Sequence, residues 1–385
     1  MREDKEYMKY LKDWLQEAKS LANNIRAQAK KDGGLSIFTI SSTVKKTEES
    51  LPYLTPMRKI VHGFIGGSVV FSQTQAVLLS KYVDGLVDQI LVDAEKKIGI
   101  TLGINFKVLD SFGLKLLGDK DNARVHVEMG NLSAACALYI KKSNFHEYKP
   151  NDLTVEAVWQ LLTRKYGVLS GKKIAIIGSG NIGFKLALKL VESGCHVEMV
   201  RRDLWRGILM ADTINIVKPK STIAIAHYNP DPLQAALFCD ALIGCTGGIP
   251  AITWEMIQSM KPNGIVIDVG KGSIFRDAIQ RASEQKVIIS RCDISSAVDG
   301  LIAAIQRNDM IMKEKMGRRE IKKSIFVVSG GYMGLNNDIV VDNYLKPAQV
   351  IGVADGGGDI KKKLSDKDRS NIKYLQTHMI KLSTS

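Results

Sequence analysis

The chain has 385 residues, 45% apolar and 24% charged, the balance of a globular protein long enough for two domains, not one core. Its longest apolar runs, such as Leu132 to Ile140, fall far short of the roughly 20 residues that cross a bilayer, which argues against a membrane protein. Fifty-four basic residues against 40 acidic give a net charge of +14, a field that favours anionic ligands. The basic residues are dispersed and not interleaved with aromatics, so nucleic acid is not an expected partner.

The five cysteines, Cys136, Cys195, Cys239, Cys245 and Cys292, show no C-x-x-C spacing. The odd count predicts reduced thiols and a cytoplasmic location. The opening Met1-Arg2-Glu3-Asp4-Lys5 leads into no signal-peptide pattern. The six histidines are isolated, and no metal site is expected.

Tyr7, Leu11, Trp14, Ala18, Leu21 and Ile25 recur at spacings of four and three, which predicts a first helix ending within Lys30 to Gly34. A less regular region broken by Pro52 and Pro56 follows. Val69 to Val92 then reads as helical and Gly99 to Leu109 as a strand. Val125 to Glu128 reads as a short strand, and Leu132 to Ile140 as either helix or buried strand. Asn151-Asp152 opens a helix with Val155, Val158, Trp159 and Leu162 on one face, closed by Tyr166-Gly167.

From Ser170 to about Ser329 the pattern becomes strand, turn, helix, repeated. Strands are expected at Lys173 to Ile177, His196 to Val200, Thr222 to Ala226, Ala241 to Cys245, Gly264 to Val269 and Val287 to Ser290. Short, near-continuous apolar strands of this kind predict a parallel sheet covered on both faces, a doubly wound Rossmann domain. Glycine loops follow at Ser329 to Gly334 and Gly352 to Gly358. Ile372, Leu375, Met379 and Leu382 mark a closing helix.

The Rossmann prediction rests on Gly178-Ser179-Gly180-Asn181-Ile182-Gly183, a G-x-G-x-x-G between an apolar strand and an apolar-faced helix. Gly178 permits the tight turn, Gly180 lets a pyrophosphate approach the backbone, and Gly183 lets helix and strand pack closely. The helix start supplies free N–H groups for the phosphates. NAD binders place an acid about 20 residues further on, against the ribose 2′-hydroxyl. Here Arg201 and Arg202 stand at that point, with Glu198 three residues early inside the strand. Guanidinium groups suit a 2′-phosphate, so NADP(H) is expected in preference to NAD(H), the alternative being two surface arginines. Cys245-Thr246-Gly247 and Val269-Gly270, at strand ends, are expected to touch the nicotinamide half, or else simply to turn the chain.

These residues resemble a known group. Asn151-Asp152-Leu153-Thr154, then Leu169-Ser170-Gly171-Lys172-Lys173 and the glycine loop, are similar to the domain join of shikimate dehydrogenases, methylenetetrahydrofolate dehydrogenases and malic enzymes. Val200-Arg201-Arg202-Asp203 resembles the Asn-Arg-Thr clamp of NADP-dependent shikimate dehydrogenases. Cys239 to Gly247, Ile267 to Gly270 and, loosely, Ser329 to Gly334 resemble stretches of the folate enzymes. The resemblance covers about residues 150–340. It implies a second α/β domain for the substrate: residues 1–155 joined by 340–385, with 156–339 as the NAD(P)-binding domain and the active site between them. Leu86 stands where the folate enzymes carry a lysine four residues after a tyrosine, here Tyr82.

Candidate groups for proton movement are Asp152, near the domain join or a helix N-cap; Lys81, in an apolar helix or solvated; His62, among basic neighbours; and Tyr332, in a glycine loop. The expected function is an NADP-dependent oxidoreductase moving a hydride at a C=O or C=N carbon of a small, anionic or polar metabolite, in a homo-oligomer such as a dimer. A methylene-pterin or folate-type dehydrogenase is one alternative. A non-catalytic dinucleotide sensor or regulatory subunit is another.

Overall fold

The computed structural model describes residues 2–43, 50–95, 97–99, 103–114, 128 and 130–382. They form two compact units, Met1–Asp299 and Gly300–Ser385.

The first unit opens with α1 (Arg2–Asp32), β1 (Leu35–Ser42), β2 (Tyr53–Ile60), β3 (Gly63–Val70), α2 (Gln73–Val83), β4 (Gln89–Asp93), α3 (Phe106–Ser111), α4 (Leu132–Ala137) and β5 (Asn144–Tyr148). The strands make one sheet in the order β2-β3-β1-β4-β5, parallel except for the edge strand β2. The α1 stripe behaves as its spacing requires. Leu11, Trp14, Ala18 and Ile25 are buried and join the first core, with Tyr7 and Leu21 packed at its margin.

Several expectations for this region fail. The stretch expected to be irregular holds three strands, and Pro56 is tolerated because β2 is an edge strand whose register shifts between Thr55 and Arg58. Glycines disguise β3: a Cβ at Gly66 would lie 2.9 Å from Ile25 Cδ1, so the glycine lets α1 pack close to the sheet. Val69 to Val92 is not one helix but the end of β3, α2 and most of β4, since the buried run at Gln89–Asp93 is too short to show a period. The expected strand at Gly99 to Leu109 gives way to α3, capped by Asn105, whose side chain accepts from Val108 N–H; residues 100–102 lie outside the described residues. Leu132 to Ile140 begins as helix, and the strand expected at Val125 to Glu128 falls, but for Glu128, outside the described residues.

The same unit continues with α5 (Pro150–Tyr166), β6 (Lys173–Ile177), α6 (Asn181–Glu192), β7 (His196–Val200), α7 (Leu204–Val217), β8 (Ala226–Tyr228), α8 (Pro232–Ala236), β9 (Ala241–Gly244), α9 (Trp254–Gln258), β10 (Ile265–Asp268), α10 (Arg276–Glu284), β11 (Ile288–Arg291) and α11 (Ser295–Met310), which runs into the second unit. Its six strands are all parallel, in the order β11-β10-β9-β6-β7-β8. Counted from β6, that is 3-2-1-4-5-6 read from the β8 edge, the doubly wound Rossmann order. Helices cover both faces, one face gathered around Ile174, Leu186 and Ile243, the other around Ile177, Leu242 and Ile257. Only the third strand is misplaced: β8 starts at Ala226, and Ile223 and Ile225 of the expected strand face outward.

The second unit has a four-stranded sheet of β12 (Gly317–Lys322), β13 (Ile325–Ser329), β14 (Ile339–Val341) and β15 (Val350–Val353), in that order. Helix α12 (Asp366–Leu382) contributes Leu375 to a small core with Val327, Ile339 and Val341. Arg318 holds the turn before β14 through two bonds to buried Asp338, at 2.7 and 3.0 Å. Among the described residues no helix is long and apolar enough to cross a membrane.

Candidate active site

The order of the six-stranded sheet reverses between β6 and β9, and the crevice at that switch point is where doubly wound sheets bind ligands. The glycine loop sits there. Gly178 has φ of 100°, a conformation side chains rarely adopt, and its Cβ would lie 2.7 Å from the carbonyl carbon of Cys245, the residue after β9. A Cβ at Gly183 would meet the Gly178 carbonyl oxygen at 2.4 Å. Gly180, the residue before α6, differs: a Cβ there would meet nothing within 4 Å, so the space above it is open. Asn181 and Ile182 begin α6, whose first N–H groups face that space without a side-chain cap.

The loop is fastened from β7. The Val200 carbonyl accepts from the N–H groups of Gly178 and Ser179, at 3.0 and 3.2 Å, and from the Ser179 hydroxyl at 3.3 Å. Arg201 Nη1 donates to the Ser179 carbonyl at 2.5 Å, while its buried Nε has no partner among the described residues. Arg202 is exposed at the same strand end. Glu198 is engaged elsewhere, with His227 Nδ1 at 2.9 Å and Asn229 Nδ2 at 3.3 Å.

Two further loops complete the carboxyl edge. Cys245 N–H donates to the Ile177 carbonyl at 2.7 Å, and Thr246 Oγ1 donates to the Ile249 carbonyl at 2.5 Å. Gly247 and Gly248 both turn with positive φ. The Gly244 carbonyl accepts from Val269 and Gly270, at 2.9 and 3.0 Å, and a Cβ at Gly270 would lie 3.0 Å from the Gly247 nitrogen. Burial, with Cys292 and Asp268 nearby, pushes the Cys245 thiol up to about 12. It is therefore a neutral group at physiological pH.

A charged cluster joins the carboxyl edge of the first sheet to α6. Asp93 at the end of β4 accepts from Ser42 N–H and hydroxyl, at 3.1 and 2.8 Å. Lys97 lies 3.0 Å from Asp93 and 2.9 Å from Glu95, with only 8% of its side chain exposed. Glu95 accepts from Asn151 N–H at 3.0 Å and lies 3.6 Å from Lys185 of α6. Lys185 bonds Asp152 at 2.5 Å. Burial is the largest influence on Lys185 and works to lower its pKa, but the bond to Asp152, the Asp152 charge and Glu95 together outweigh it and the net shift is upward. Asn151 Nδ2 also reaches Asn181 Oδ1 of the glycine motif at 3.1 Å.

Asp152 thus stands beside the glycine loop, in the first turn of α5. It is not the helix N-cap, a position that Lys149 occupies. Lys81 does not join it: it is exposed in the last turn of α2, next to Asp84, which accepts from the N–H groups leading into β5. That is the opposite edge of the first sheet from Asp93. His62 lies at the same opposite edge, in the turn between β2 and β3, where its carbonyl accepts from Leu35 N–H at 2.8 Å. Tyr332 belongs to the second unit, half-exposed after β13. Lys97, Glu95 and Lys185 carry no signal in the sequence, where lone charges in mixed-sign stretches look like solvated surface. Among the described residues no group of three His, Cys, Asp or Glu could hold a metal ion.

No protein-family model matches this chain, and no curated protein sequence does. Solved structures match it at low identity. L-tryptophan dehydrogenase from Nostoc punctiforme is 12% identical, over 71% of this chain and 74% of that one, with a TM-score of 0.36. The A chain of dipicolinate synthase from Bacillus subtilis is 13% identical, over 73% and 98%, with a TM-score of 0.31. A shikimate dehydrogenase solved with NADP+ is 13% identical, over 38% and 51%, with a TM-score of 0.29. The chain spans about half the length of some of these structures: 51% of the shikimate dehydrogenase and 53% of a structure from Pyrobaculum aerophilum.

Proposed function

We propose that the protein is an NADP-dependent oxidoreductase acting on a C=O or C=N carbon of a small polar or anionic metabolite. The observation that carries this is the position of the glycine loop: at the switch point of a 3-2-1-4-5-6 sheet, with open space over Gly180 and over neither Gly178 nor Gly183. Gly178 to Gly183 would hold the pyrophosphate against the start of α6. Arg201 and Arg202 would take the 2′-phosphate; what supports this is the unpartnered Arg201 Nε, the exposed Arg202 and the prior engagement of Glu198 with His227. Cys245, Thr246, Gly247, Val269 and Gly270 would line the nicotinamide half.

A bound nicotinamide would supply the hydride. The chain must supply the proton, and Lys97 is the group this reading assigns to it. Its ammonium gives a proton to the carbonyl oxygen or imine nitrogen as the C–H bond forms, and is reprotonated from water. Asp93 and Glu95 hold the ammonium, while Asp152 acts as a positioning residue through Lys185.

Exchange of deuterium from stereospecifically labelled NADPH into a panel of keto acids, imines and methylene-pterins tests this reading. Transfer to one of them supports it. Tight NADPH binding with no oxidation by any candidate would make the protein a dinucleotide-binding sensor instead.

A further inference from the structure

The largest concentration of exposed apolar residues along the described chain lies on the outer face of α7 and the segment after it. Trp205 is 74% exposed, Ile216 82% and Ile223 89%, and Leu209, Val217 and Ile225 are exposed beside them. Trp205, Leu209 and Ile216, at i, i+4 and i+11, fall within about 40° of one another around a helix of 3.6 residues per turn. The opposite face of α7 buries Gly207, Ala211 and Ile214 against the sheet. The apolar stripe is therefore an addition to the side that packs the core.

We propose that this face is an isologous contact between two copies of the chain, α7 packing on its counterpart across a two-fold axis. The six side chains expose on the order of 600–700 Å² together, at or above the upper end of the largest apolar patch on a typical monomer. That approaches the roughly 800 Å² per partner of a standard interface. Strand pairing at the adjacent sheet edge is obstructed at Ala226, where Asn215 occupies the first residue of β8: its Nδ2 donates to the Ala226 carbonyl at 2.7 Å and its Oδ1 accepts from Ala226 N–H at 3.0 Å. Side-chain packing of α7 is what remains. The rim carries both signs, Arg206 and Lys220 with Asp203, and Asp212 lies on the stripe itself between Leu209 and Ile216, all exposed. Such a rim suits another protein surface better than an anionic lipid surface, which favours cations alone. The inference does not depend on the reaction assigned above.

Sedimentation velocity of the full chain over a hundredfold concentration range tests it, with Leu209→Glu/Ile216→Lys as the variant. Both positions are solvent-exposed, so the variant keeps the fold, as circular dichroism and the melting curve would verify. Trp205→Ala provides a second, uncharged variant. Expected is a dimer of the wild-type chain that both variants shift to monomer by at least tenfold in dissociation constant. A wild-type monomer throughout, or a dimer that neither variant weakens, overturns the proposal. So does a monomer that co-sediments with phosphatidylserine vesicles and loses that binding in the variants, which would assign the face to lipid.

Discussion

A Cβ built on Gly183 would sit 2.4 Å from the carbonyl oxygen of Gly178, closer than non-bonded Cβ atoms come to any heavy atom. The two glycines therefore set how near α6 comes to β6, and that closeness presents the α6 N-terminus to the switch point. Gly183→Ala must push the helix off the strand, and overpacking of this kind costs about 1–3 kcal/mol. A lowered melting temperature together with weakened NADPH binding is the expected outcome. An unchanged melting curve would mean that the loop is not built as described.

The two arginines should separate. Arg202→Ala removes an exposed guanidinium and should weaken NADPH by about tenfold or more, as loss of a charge-assisted bond of ~1.5–3 kcal/mol implies. NADH should change little. Arg201→Ala also removes the bond to the Ser179 carbonyl, so both cofactors should suffer, NADPH more. Equal effects on the two cofactors in both variants would remove the 2′-phosphate role.

Lys97 carries the proton in this account, and arginine is the discriminating replacement. Lys97→Arg keeps a cation between Asp93 and Glu95, but a guanidinium does not release its proton at working pH. The chain should stay folded and bind NADPH normally while kcat drops by about 10²–10⁴. Wild-type turnover in Lys97→Arg would leave the lysine only a structural role.

Asp240 gives a pH dependence of known sign. It is buried, a cost that alone would raise its pKa. The bond from Lys261 at 2.9 Å and that from Lys173 N–H at 2.9 Å outweigh this and hold its carboxyl below the usual range. Its folded pKa is thus depressed, so its contribution is present above the ordinary aspartate value near 3.8 and is lost as pH falls below it. Asp240→Asn should destabilise the chain at pH 7 and flatten its acid unfolding below about pH 4, measured by urea denaturation across that range. A variant with the wild-type acid profile would show that the carboxylate contributes nothing there.

The sequence made the doubly wound half legible because its signals are local. Five of six strands, the glycine turn and the α5 boundaries follow from short apolar runs and turn residues close in the chain. The strand at Ala226 was misplaced because Thr222 to Ala226 alternates like a strand, although only Ala224 and Ala226 of it are buried. The first sheet was hidden for the opposite reason. Its order is fixed by long-range contacts, such as Gly66 beneath Ile25, and its strands carry the glycine and proline that normally mark loops. The candidate site divided in the same way. The loops proposed to hold the cofactor lie within contiguous motifs, whereas the Asp93–Lys97–Glu95–Lys185–Asp152 cluster draws on three elements and has no sequence pattern. His62 and Lys81 looked suitable by residue type, yet the parallel strands carry both to the edge opposite Asp93.

Titration of the chain with NADPH, read by the nicotinamide fluorescence, against the same titration of Gly180→Val, tests the central claim most directly. A Cβ at Gly180 would meet no protein atom within 4 Å and would point into the space assigned to the pyrophosphate. Expected is saturable binding, one NADPH per chain, that Gly180→Val abolishes while the melting temperature stays within about 2 °C, since a surface change of this kind stays within about 0.5 kcal/mol. Absence of saturable binding to the wild-type chain, or undiminished binding to Gly180→Val, would contradict it.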